Sequence, residues 1–258
     1  MRLMKRILSA AAVLALSASL LVGCSSGTAS SVPVSASSAA ESTVSSVEET
    51  VSSAVDENEA AAAQLLNDLT GSYQELWPVI LADEYKQTWL DVCTALVGED
   101  NAEAAFEKLS SMVTGDVYGE DAVKAYANGG GAYFCGFTNS LATLTFDGET
   151  STISGTDKDG NVLFSHTYHY IGMEPVHGLY EFESDDADSG EFTYFFLAPD
   201  TSAETYHIEF RYGSDADALS QYDAGDYAYW VASGIATDRD QTMINNCIEL
   251  FCTENLAG

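Results

Sequence analysis

"LATLTFDGETSTISGTDKDGNVLFSHTYHY", Leu141 to Tyr170, is the stretch that decides the fold class. Through Thr143, Leu144, Thr145 and Phe146 apolar and polar side chains alternate, and a period of two is the mark of a strand with one buried face. The alternation breaks at Asp147-Gly148 and again at Asp159-Gly160, the dipeptide favoured in tight turns between antiparallel strands. Two hairpins in succession follow from this. "HGLYEFES" (177–184), "EFTYFFLAP" (191–199) and "ETYHIEFRYG" (204–213) continue the pattern. Six or seven antiparallel strands at even spacing over 132–212 predict a sandwich or a closed barrel rather than a parallel sheet.

Outside this block the period changes. Residues 60–128 show apolar side chains at spacings of three and four, with Asp100, Asn101 and Glu103 placed to cap a helix through Phe106, Leu109 and Met112. "ANGGGAYF" (127–134) ends that pattern, and a helical tail is expected over 214–258, closing with "RDQTMINNCIELFC". The predicted fold class is therefore mainly β with flanking helices.

The N-terminal "MRLMKRILSAAAVLALSASLLVGC" places Arg2, Lys5 and Arg6 before an apolar run that ends in small residues, the pattern of a signal peptide over 1–23. "LVGC" resembles a bacterial lipobox, which implies lipidation of Cys24 and a location on the outer face of the cell membrane. Residues 24–58 are rich in Ser, Ala, Val and Glu and contain no aromatic residue, so they read as a disordered tether. All 14 Tyr, 11 Phe and 3 Trp fall in the 59–258 domain, which is long enough to bury a substantial core.

The net charge is −31, and −34 once the three basic residues of 1–23 are removed (6 minus 40). Nucleic acids and anionic lipid headgroups need a cationic surface and are excluded as partners on this balance, whereas cations would be attracted. Four cysteines follow Cys24: Cys93, Cys135, Cys247 and Cys252. They form no CxxC pair, which argues against a thiolate zinc site; they allow three disulfide pairings between which spacing does not choose, and buried free thiols are the alternative. Nucleophile elbows, HExxH helices, P-loops and dinucleotide fingerprints are missing, so no enzymatic activity is predicted.

Several ordered motifs are similar to those of the ZinT (YodA) family. "LNDLTGSYQELWPVIL" (66–81) resembles its opening signature, "GFTNSLATLTFDG" (136–148) a strand pair, and "FFLAP" (195–199) with "YHIEFRYGSDADAL" (206–219) its metal-binding segment. The resemblance implies a lipocalin-like (calycin) barrel with helices beside it, a zinc cofactor or cargo, and sometimes a metal transporter as partner. It also implies a ligand set: one histidine at the position of Phe195 and an H-x-H pair at Thr205 and His207. Residues i and i+2 of a strand share a face, which lets two imidazoles converge on one ion. Only His207 survives here.

Replacement donors are then Glu209, on the face of His207, and His166, His169 and His177 on nearby strands. His166 and His169 are three apart and should point to opposite faces. "DKDGN" (157–161) and the acidic "ESDDADSGE" (183–191) suggest calcium, but each is explained by a solvated hairpin turn. The expected function is binding of zinc or a related divalent ion, in metal acquisition or homeostasis. The alternatives are a calycin-type binder with an aromatic pocket inside the barrel, or an interaction module of the cell envelope.

Overall fold

The structure, a computed structural model, describes residues 57–198 and 207–256. The signal peptide, Cys24, most of the tether and Thr205 lie outside the described residues. Eight antiparallel strands close into a barrel in simple sequence order, the up-and-down arrangement of lipocalin-type folds. They are β1 (Gly71–Glu75), β2 (Thr143–Asp147), β3 (Thr152–Thr156), β4 (Val162–Met173), β5 (Tyr180–Ser184), β6 (Tyr194–Leu197), β7 (His207–Gly213) and β8 (Ala232–Ala236). The fold class read from the sequence, mainly β with flanking helices, is the one observed.

Both Asp-Gly hairpins form as expected. Asp147 Oδ1 accepts from the amides of Glu149 and Thr150, and Asp157 Oδ1 accepts from those of Asp159 and Asn161. Asp157 Oδ2 also accepts from Asn161 Nδ2. The carboxylate of "DKDGN" is thus occupied by its own turn, the behaviour of an Asx turn. A Cβ at Gly148 would lie 2.4 Å from the Cα of Asn67, which explains why the β2–β3 turn carries glycine where it rests against the preceding helix.

Two strands fall in stretches expected to be helical. β1 interrupts the 60–128 segment, and β8 interrupts the 214–258 tail. In β8, "ASGIA", every residue is buried, so the polar-apolar alternation that would betray a strand never appears. In β1, "GSYQE", only Tyr73 is buried, too short a signal to stand out from the helical spacing on either side. These two strands complete the ring: Tyr73 pairs with Leu144 of β2 and with Ala236 of β8.

The helices are α1 (57–68), α2 (Trp77–Ile80), α3 (Lys86–Val97), α4 (Glu99–Val113), α5 (Glu120–Ala127), α6 (Ala216–Leu219) and α7 (Gln241–Leu256). Glycine rather than a side-chain cap opens α4: Gly98 takes the N-cap position with φ 86°, and Asn101 donates backwards to the carbonyl of Val97 instead of capping. An aromatic cluster within the one continuous core holds α2, α3, α4 and α7 together. Phe251 packs edge-on against Trp77 and Trp89 at 4.8 and 6.0 Å between centroids, Trp89 meets Phe106 at 5.6 Å, and Trp89 Nε1 donates to the carbonyl of Ile80.

Inside the barrel, residues paired across strands share a face, so the register identifies the lining. Phe195 pairs with both Phe182 and Tyr212, and Leu197 with Phe210. Tyr168, Phe164, Phe210 and Tyr212 ring Phe195 at 5.4, 5.9, 6.3 and 5.4 Å. Large side chains thus fill this part of the interior, as small barrels require. Each aromatic ring buried there contributes roughly 2–3 kcal/mol through removal from water.

Candidate functional site

The register puts His207, Glu209 and Arg211 on the outer face of β7, opposite Ile208, Phe210 and Tyr212, which line the interior. The sharing of one face by His207 and Glu209 holds. That face is not open, however: His207 is 2% exposed, Glu209 3% and Arg211 0%. Burial pushes the His207 pKa down to about 3, so the imidazole is neutral at physiological pH. Glu209 pairs across to Ser233 of β8 and lies close enough to Cys135 to help raise that thiol's pKa, after burial itself.

Phe195, which stands where the resemblance implies a histidine, points into the barrel and therefore away from the face of His207. The implied ligand positions Phe195 and His207 are consequently not convergent in this chain. Among the described residues, no three His, Cys, Asp or Glu side chains gather as a closed metal site requires.

Arg211 crosses the outer surface to the end of α6 and the segment that follows it. Its guanidinium donates to the carbonyls of Leu219, Gln221 and Tyr227 and lies 4.3 Å over the ring of Tyr222. Tyr222 in turn packs against His177 at 3.8 Å between centroids, with the rings tilted by 52°. Glu174, fully buried, accepts from the amides of Val176 and His177 and lies 3.6 Å from His177 Nδ1. Burial opposes ionisation of Glu174, but these contacts from His177 and Val176 outweigh it and hold its pKa below the ordinary carboxylate value. His177 is therefore buried in the β4–β5 turn, rather than placed on a strand, and packs within this network.

The two histidines of β4 point to opposite faces, as their spacing requires, yet both meet the acidic β5–β6 loop. His166 faces inward near Phe164, and its Nδ1 contacts Asp186 Oδ2 at 2.8 Å. His169 faces outward, and its Nδ1 contacts Asp185 Oδ1 at 2.7 Å. Glu183 is the direct cross-strand partner of His169, with Oε2 3.9 Å from Nε2. Side-chain exposures of 51% for His169, 37% for Glu183 and 52% for Asp185 leave this trio open to solvent. Glu183 also accepts from the hydroxyl of Tyr194 at 3.1 Å, which fixes its position on the strand.

Sequence reasoning read the 183–191 loop as a solvated turn and missed that it supplies carboxylates to two histidines. The available signal was the even match of two histidines in one strand to a run of carboxylates at the end of the next. Outside the barrel, a cleft of about 320 Å³ lies between Trp77, Pro78, Leu81, Val113 and Phe134, with Glu75 at its edge. Glu75 Oε1 accepts from the amide of Phe137 and so is committed to holding the 134–137 segment.

Neither protein-family models nor curated proteins match the sequence. Among solved structures, the chain is similar to the Zn(II)-bound ZinT-like domain of Streptococcus pneumoniae AdcA, with 15% identity, a TM-score of 0.45 and coverage of 71% of this chain and 89% of that one. It is similar also to Zn(II)-bound AdcA from the same organism, with 13% identity, a TM-score of 0.44 and coverage of 72% of this chain and 35% of that one.

Proposed function

We propose that this chain is a lipid-anchored, extracytoplasmic protein whose barrel domain binds a divalent cation, zinc first, in a non-catalytic role in metal acquisition or homeostasis. The anchor is Cys24, and delivery of the ion to a membrane transporter is the corresponding partner role. The observation that carries the binding reading is the cross-strand pair of His169 and Glu183 on the outer face of β4 and β5, with Asp185 holding the imidazole from its other side. His169 offers Nε2 outward, Glu183 offers a carboxylate oxygen from the paired position, and Asp185 engages Nδ1. A carboxylate on the far nitrogen of a histidine is the arrangement that orients metal-binding imidazoles and raises their basicity.

The proposed ion is bound by His169 and Glu183, with water completing the shell. Two protein ligands make a weak site, since zinc is ordinarily held by three or four. An imidazole nitrogen favours zinc over magnesium or calcium. His207 is the competing donor from the family resemblance, and mutagenesis separates the two.

Titration of the chelator-treated protein with zinc, followed by the imidazole NMR signals, tests the proposal. The His169 signals should shift saturably, and His169→Ala or Glu183→Gln should reduce the affinity about tenfold or more, whereas His207→Gln should leave it unchanged. Undiminished binding in His169→Ala would sink this site, and loss of binding in His207→Gln alone would move it to β7. The aromatic rings around Phe195 fill that part of the barrel, which counts against the interior-pocket alternative.

A further inference from the structure

Cys93 of α3 and Cys252 of α7 are both completely buried, and their Sγ atoms lie 3.9 Å apart. The pairing is enforced by the packing around it. Trp89, one turn before Cys93, meets Phe251, the residue before Cys252, so the two helices are held in register at this level. A disulfide brings sulfurs to about 2.05 Å and needs Cα atoms within roughly 4.4–6.8 Å. At 3.9 Å across two packed helices, the two sulfurs are in contact and about 1.9 Å beyond bonding distance.

The other two cysteines are placed elsewhere. Cys135 lies beside β8, its carbonyl accepting from the amide of Ser233 and its Sγ lying 3.7 Å from the carbonyl of Tyr133. Cys247 sits five residues before Cys252, so at about 100° per residue it is turned about 140° around the α7 axis from it. Of the three pairings the sequence allows, geometry favours the one that includes Cys93 with Cys252.

We propose that Cys93 and Cys252 form a structural disulfide that ties the first helical segment to the C-terminal helix. The two S–H bonds break and one S–S bond forms; two electrons and two protons pass to the disulfide of a small-molecule or protein oxidant, which leaves as a dithiol or two thiols. Both thiols are buried, and burial raises their pKa values. Exchange proceeds through thiolates, so the bond forms while the helices are still assembling and is shielded from reduction once they pack. In the cell it rests on the extracytoplasmic location proposed above, since thiols remain reduced in the cytosol.

The test is refolding of the reduced full chain in a mixture of reduced and oxidised glutathione, followed by alkylation of free thiols and digestion without reductant. The expected product is the Cys93 peptide joined to the Cys252 peptide, two hydrogens lighter than their sum, with a Tm several degrees above that of the reduced protein. Cys93→Ser and Cys252→Ala should abolish that reductant-sensitive Tm difference, and Cys135→Ala should retain it. Alkylation of both Cys93 and Cys252 in folded protein, or linkage of either to Cys135 or Cys247, overturns the proposal. The same mapping on protein trapped with a thiol-blocking reagent in exporting cells separates the two readings: a link in the refolded chain but not there counts against the location alone.

Discussion

His207 is neutral because protonating it would place a charge in a site with almost no contact with water. Its folded pKa of about 3 lies below the unfolded value of about 6.5, so the unfolded chain binds the proton more readily. Stability is therefore fully present above pH 6.5 and is lost as pH falls from there toward 3, by about 1.4 kcal/mol per unit at most. The expected result is a Tm that drops between pH 7 and pH 5, with a smaller drop in His207→Gln; identical slopes in both proteins would mean that another group carries the acid sensitivity. At this scale the sequence was legible only in part. That His207 and Glu209 share a face follows from spacing alone, whereas their burial depends on segments distant in the chain, such as the one carrying Cys135. A histidine introduced at Phe195 would enter the barrel rather than join His207.

At the scale of elements, one side chain of β7 ties the barrel to the segment that ends α6 and follows it. Arg211 supplies donors to the carbonyls of Leu219, Gln221 and Tyr227, and these would be left without them by truncation. Arg211→Met keeps the aliphatic stem and should cost about 3 kcal/mol or more, seen as a lower urea midpoint with an unchanged m value. A loss under about 1 kcal/mol would show that the 214–229 segment is held by its aromatic contacts instead. The elements themselves divide into those that announce themselves and those that do not. The hairpins at Asp147-Gly148 and Asp159-Gly160 are local devices, set by turn chemistry within a dozen residues, and both were legible. β1 and β8 are strands because each finds partners across the ring, and tertiary pairing overrides what their own residues favour. The candidate site at His169 straddles the two cases: its alternation is local, but its partnership with Glu183 is a matter of register.

Over the whole molecule the acidic excess dominates. With a net charge of −31 and ion pairs such as Lys86–Glu103 and Lys124–Asp121 confined to exposed positions, like-charge repulsion is compensated little by pairing. Raising the ionic strength from about 0.01 M to about 0.15 M shortens the screening length from roughly 30 Å to roughly 8 Å, which relieves that repulsion. The Tm should rise by a few degrees with sodium chloride over this range, measured by calorimetry at neutral pH; a fall would mean that favourable pairs outweigh the excess.

The closure of the barrel through β1 and β8 bears also on when the chain can fold. Tyr73 waits for Leu144 on one side and for Ala236 on the other. Pairings this distant in sequence carry a large loop-closure cost before they return any stabilisation, which slows folding relative to the local hairpins. During synthesis, the chain through Ala236 must leave the ribosome before the first strand gains its second neighbour. The barrel therefore stays open, whatever its hairpins and helices have already formed, until Ala236 is free to pair with Tyr73.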